Sequence, residues 1–182
     1  MIKKILLLGL VVIVVGVAIF AVVVAMQPSH YRVERSATMS APPVVVFNQV
    51  NDFHKWDAWS PWAKLDPNMK TTHTGAPSGT GAVYSWVGNS DVGEGKMTIN
   101  DSKPGELVKI KLEFIKPFAA SSDTVFTFKP QGNQTAVTWT MDGENNFVGK
   151  AMCLFMNMDK MVGGDFEKGL AQMKSVSEKS AQ

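Results

Sequence analysis

Cysteine is almost missing from this chain: Cys153 is the only one in 182 residues. A lone thiol excludes an internal disulfide and any metal cage built from cysteines. Its neighbours Met152, Leu154 and Phe155 predict a buried, inert sulfur. Histidine is scarce too, and His30, His54 and His73 show no spacing that suggests ligands to one metal. Excess charge is also lacking. Eighteen basic residues face 16 acidic ones, and Lys3 and Lys4 account for the difference. The rest of the chain is formally neutral, without the electrostatic footprint of a nucleic-acid binder. No polybasic run is present that would recognise anionic lipid head groups. The sequence has no Ser/His/Asp order and no nucleophile elbow. Its Gly-rich stretches 75–81 and 88–95 lie between strand patterns, as hairpin turns rather than phosphate cradles. No catalytic residue, metal site or cofactor is therefore expected.

What the chain does have is one long apolar run. Ile5 to Met26 reads ILLLGLVVIVVGVAIFAVVVAM, with no charge and no Pro. As an α-helix it covers about 33 Å, close to the hydrocarbon thickness of a bilayer. Lys3 and Lys4 precede it, and Pro28 cannot continue the helix. A cleaved secretory signal is the alternative, with Val23-Val24-Ala25 as a small-residue site. A signal's apolar core is usually shorter, about 7–15 residues. The expected organisation is a transmembrane anchor over 1–28 and one domain over 29–182. Lys3 and Lys4 favour an inside N-terminus, opposed in part by Arg32 and Arg35 beyond the far end. That bias places the domain outside the cytoplasm, as a single-pass periplasmic protein.

The remainder reads as strand, helix, six strands and a long helix. Tyr31–Met39 alternates, and Pro42-Pro43 opens a helix over Val44–Asn51. Period-two segments follow at Met69–Thr74, Ala82–Val87, Gly95–Asp101, Leu107–Phe114, Thr124–Lys129 and Gln134–Asp142. Short Gly/Pro connections between them predict antiparallel pairing. In Leu107–Phe114, Val108, Ile110, Leu112 and Phe114 face one way and Lys109, Lys111 and Glu113 the other. From Ala151 to Met173 apolar residues recur every three to four positions. Gly163-Gly164 predicts a kink or break there, with Asp165 and Glu167 opening a fresh helix. One sheet packing its apolar face on one long helix is an α+β, two-layer solution.

This order, with Asn51-Asp-Phe-His-Lys-Trp-Asp-Ala-Trp-Ser-Pro-Trp62 and Gly143-Glu-Asn-Asn-Phe-Val-Gly149, resembles the START-like helix-grip superfamily. More narrowly it resembles polyketide cyclase/dehydrase-type (SRPBCC) proteins with an N-terminal membrane segment. The resemblance covers residues 31–179. It implies an antiparallel sheet of about seven strands wrapped around the C-terminal helix, with a cavity between them for apolar ligands. It brings no fixed catalytic set, because the superfamily hosts many functions on one scaffold.

Candidate site residues follow from alternation. Tyr84, Trp86, Phe114, Phe126 and Trp139 face inward from the sheet, with Phe155 and Met158 opposite on the helical region. Flexible methionines suit an adaptable apolar pocket, although the same residues could simply fill a core. Trp56, Trp59 and Trp62, three apart, form either a cavity mouth or membrane-facing patch, or a core plug. Asp142, Glu144, Asp159 and Asp165 are the acids nearest the sheet–helix junction, as proton acceptors or as helix caps. The leading expectation is a non-catalytic, membrane-anchored domain that binds a membrane lipid or another apolar small molecule. The alternatives are a module with a filled core that binds an envelope protein, and a cyclase/dehydratase-type enzyme.

Overall fold

Period-two alternation broken by Gly/Pro turns folds the middle of the chain into one antiparallel sheet. The computed structural model describes residues 2–181. Met1 and Gln182, the outer ends of the two expected segments, lie outside the described residues. Helix α1 (Ile2–Ala25) is followed by β1 (His30–Met39), α2 (Pro43–Asn51) and a short 3-10 helix (Phe53–Ala58). Strands β2 (Lys70–Gly75), β3 (Ala82–Val87), β4 (Glu94–Lys103), β5 (Leu107–Lys116), β6 (Ala120–Gln131) and β7 (Gln134–Glu144) come next. Helices α3 (Phe147–Cys153) and α4 (Met158–Ser180) end the chain.

The strand order is β1-β7-β6-β5-β4-β3-β2, so neighbours from β2 to β7 are hairpin partners. β1 returns to the far edge, with His30 opposite Glu144 and Met39 opposite Thr135. Helix α4 crosses the concave face, burying Phe166, Leu170 and Met173 against it. Val46, Phe47 and Val50 of α2 meet Val108, Ile110, Phe128 and Val137 in the same core. Full burial of side chains of this size stabilises by about 1.5–3 kcal/mol each. This is the α+β packing that the residue pattern predicts, in the helix-grip arrangement that the resemblance implies.

Two local expectations are corrected. Strand β6 begins at Ala120, not at Thr124, because its inward position Ser122 is polar and hides the alternation. Ser122 is buried and its hydroxyl meets that of Tyr31 at 2.7 Å. Helix α4 runs unbroken through Gly163-Gly164. The helical run breaks earlier, at 154–157, where the Asn157 side chain accepts the N–H of Lys160. Asp165 is therefore no helix start; it pairs with Lys168 at 3.0 Å. Gly163 serves close approach instead, because a Cβ there would collide with the guanidinium of Arg35. That guanidinium bridges Asp159 at 2.9 Å and Glu167 at 2.7 Å, pinning α4 to β1.

Helix α1 stands outside the core, and its residues 3–25 are long and apolar enough to cross a membrane. An N-terminal signal sequence passes the same test of length and composition. Cys153 is half-buried on α3, against the buried thiol expected, because α3 buries none of its residues.

Candidate functional site

The sheet and α4 do not close completely on each other. A cavity of about 520 Å³ remains between them, within the usual size of small-molecule sites. β3 contributes Tyr84 and Trp86, β4 Met97, β5 Leu112 and Phe114, and β7 Trp139 and Met141. Met158, Met161, Val162 and Phe166 of α4 form the opposite wall. Buried Ser122 and Thr124, with half-buried Tyr31, are the polar patches of the sheet wall. Asp57, Asp91 and Lys116 stand exposed at the rim.

Local chemistry fixes these aromatic walls. Trp86 lies flat over Gly95 of the neighbouring strand, where a Cβ would come within 2.5 Å of its ring. Its indole N–H donates to the carbonyl of Val92 at 2.9 Å, which sets the ring's direction. Trp139 is stacked between Phe166, at 3.8 Å and 9°, and Phe126, at 4.7 Å and 29°. Trp56 and Trp59 donate their indole N–H groups to the carbonyls of Val50 and Gln49, at 3.0 and 2.9 Å. Those carbonyls end α2 and have no partner inside the helix, so the two indoles close it.

Of the residues singled out in the sequence, Tyr84, Trp86, Phe114, Trp139 and Met158 come together around the cavity. Phe126 lies one layer behind, covered by Trp139. Phe155 does not face the sheet; it is 79% exposed in the break before α4. Core packing claims most of the Trp run, so it forms no exposed patch. Trp59 is fully buried, crossing Trp139 at 5.7 Å, while Trp56 and half-buried Trp62 add faces to the cavity wall. Met97, Met141 and Phe166 were missed as lining residues. Phe166 falls in the apolar repeat that runs from Ala151 to Met173, and Met141 alternates with Val137 and Trp139, so period and alternation are the signals that find both.

Burial pushes the Tyr84 hydroxyl up to about 12, helped by the nearby charge of Asp57. Among the acids considered, Asp142 and Glu144 end β7 rather than cap a helix. Asp142 points outward to Arg32 at 2.9 Å. Asp159 is held below the usual carboxylate range by its hydrogen bond to Arg35. His54 and His73 stack at 4.2 Å on the surface, with the His54 ring against Asp52 at 2.9 Å. Among the described residues no group of three or more His, Cys, Asp or Glu is arranged to hold a metal ion.

A family model described as polyketide cyclase / dehydrase and lipid transport matches residues 30–178. No curated protein matches the chain in sequence. Solved structures share its fold at low identity. Protein CV1439 from Chromobacterium violaceum has a TM-score of 0.57 at 15% identity, over 83% of this chain and 99% of that one. The Aha1 dimer from Colwellia psychrerythraea has a TM-score of 0.59 at 12% identity, over 81% and 96%. TTHA0849 from Thermus thermophilus has a TM-score of 0.56 at 16% identity, over 84% and 100%.

Proposed function

The chain belongs to the polyketide cyclase/dehydrase and lipid transport family, and on that premise we propose that it is a membrane-tethered START-like domain holding a lipid or other apolar small molecule. The observation that carries this reading is the 520 Å³ space walled by aromatic rings and thioethers. Transfer of an apolar ligand there gains about 25 cal/mol for each Å² removed from water. Met97, Met141, Met158 and Met161 give that wall a shape that adapts to the ligand.

Binding without transformation fits the placement of charge. Among the described residues, the carboxylates at the cavity, Asp57, Asp91 and Asp165, are exposed or half-exposed at its rim. None is buried among the aromatic rings that wall the cavity. Helix α1 supplies the tether, and the two lysines in its first turn favour an extracytoplasmic, periplasmic domain.

The test is purification of the full chain from its host's membranes, followed by organic extraction and mass spectrometric identification of what co-purifies. A molecule present in one-to-one ratio, and lost in a folded Leu112→Trp variant that fills the cavity, is the expected result. Equal recovery from both proteins, or an empty wild-type chain that also refuses added lipids, would sink the reading.

A further inference from the structure

Only residues 26–29 join α1 to β1, and four residues span at most about 14 Å. Whatever lies beside the start of β1 therefore lies beside the end of α1. His30 pairs with Glu144, and Gly143 pairs with Ser122 close to the β5–β6 turn. Glu94 pairs with both Val87 and Lys116, which brings in the β3–β4 turn. These termini and turns share one end of the sheet. The cavity opens at that same end, since Val92, Lys116, Pro117 and Phe118 of the two turns line it.

Beside the rim charges Asp91 and Lys116, that end carries exposed large apolar side chains. Phe118 is 57% exposed, Phe147 56% and Phe155 79%. Helix α3 packs against α1, and Lys150 Nζ donates to the Ala25 carbonyl at 3.3 Å. None of the α3 residues is buried in the domain. The opposite turns, 103–106 and 131–134, carry no exposed large apolar side chain. Aromatic and methionine side chains left in water forgo their transfer energy, and they regain it at a lipid interface.

We propose that this end of the domain docks on the leaflet that α1 enters, so that the cavity opens into the bilayer interface and its ligand passes between leaflet and cavity without crossing water. The inference rests on the reading of α1 as an anchor and of the cavity as an apolar-ligand site. Its occupant is the bilayer itself, because the short connection leaves the apolar end no distance from it.

The experiment is electron paramagnetic resonance of the full chain in vesicles of phosphatidylcholine and phosphatidylglycerol. Nitroxide labels are placed singly, in a Cys153→Ala background, through Phe118→Cys, Phe155→Cys, Lys129→Cys and Val12→Cys. Position 129 reports the far end of the domain, and position 12 reports the middle of α1. Collisions with oxygen relative to a water-soluble nickel complex should be severalfold higher at 118 and 155 than at 129. Water-like values at 118 and 155, with a lipid-like value at 12, overturn the docking and leave the anchor standing. A water-like value at 12 removes the anchor and the docking together.

Discussion

Trp139 sits between the rings of Phe166 and Phe126 and also walls the cavity. Its removal to Ala would cost about 3–5 kcal/mol in packing, so ligand affinity is better probed elsewhere. Thr124, on the adjacent strand, tests the packing of the same wall. Its buried hydroxyl has no hydrogen-bond partner, and such a group costs about 1–3 kcal/mol. Thr124→Val is expected to keep or raise the melting temperature; a fall of several degrees in thermal denaturation would show that the hydroxyl is bonded to a buried water. Tyr84 gives a pH signature. Its folded pKa is raised from 10.0 to about 12, so its neutral form is the one the fold favours. That preference costs nothing below pH 10 and is lost progressively as pH rises from 10 toward 12. Denaturant unfolding should show stability falling over that window by on the order of 2 kcal/mol more in the wild type than in Tyr84→Phe. Equal slopes would mean that the hydroxyl is solvated in the folded protein.

Helix α4 separates what its sequence reveals from what only its partners determine. The stripe Phe166, Leu170 and Met173 is readable from spacing alone and is buried as expected. Gly163-Gly164 is not readable, because a glycine's effect depends on what lies across from it. The guanidinium over Gly163 comes from Arg35 on β1, remote in sequence. The same limit hid Phe155, whose apolar character suits a core and an interface equally. The strands were legible wherever inward positions are apolar, and β6 was truncated where Ser122 and its neighbours are not. Alternation likewise placed four residues at the cavity, Tyr84, Trp86, Phe114 and Trp139, but no local pattern distinguishes Phe126, one layer behind. A pair of substitutions tests this view of α4. Nothing lies within 4 Å of a Cβ at position 164, whereas one at 169 meets the Trp139 ring at 2.9 Å and Pro61 at 3.1 Å. Gly164→Ala should stabilise by about 0.5–1 kcal/mol through helix propensity. Gly169→Ala should destabilise despite the same propensity gain, because two rigid groups must move. Thermal melts of both variants check this, and a matching gain in the two would mean that α4 is free to shift away from the sheet.

As a whole, the molecule divides into a core that α1 barely touches and an apolar end that α1 holds in place. Among residues 3–25 of α1 only Val24 is buried, and its packing partner α3 buries nothing in the core. A chain starting at Pro28 keeps the carbonyls of Pro28 and Ser29 that Asn145 binds. It should therefore fold, with a melting temperature within about 4 °C of the full domain. Its membrane behaviour should differ more. A few half-exposed aromatics give only marginal, reversible binding, much as a single acyl chain does. A short tether, by contrast, supplies an effective concentration of about millimolar. The truncated chain should partition only partly onto phosphatidylcholine–phosphatidylglycerol vesicles in co-sedimentation. That fraction should not change between low and high ionic strength, because the domain is formally neutral and the docking contact is made by exposed phenylalanines. A bound fraction that collapses in salt would instead assign the contact to Lys116, Lys150 and Lys160 on that side, and would move the docking surface from the phenylalanines to the lysines.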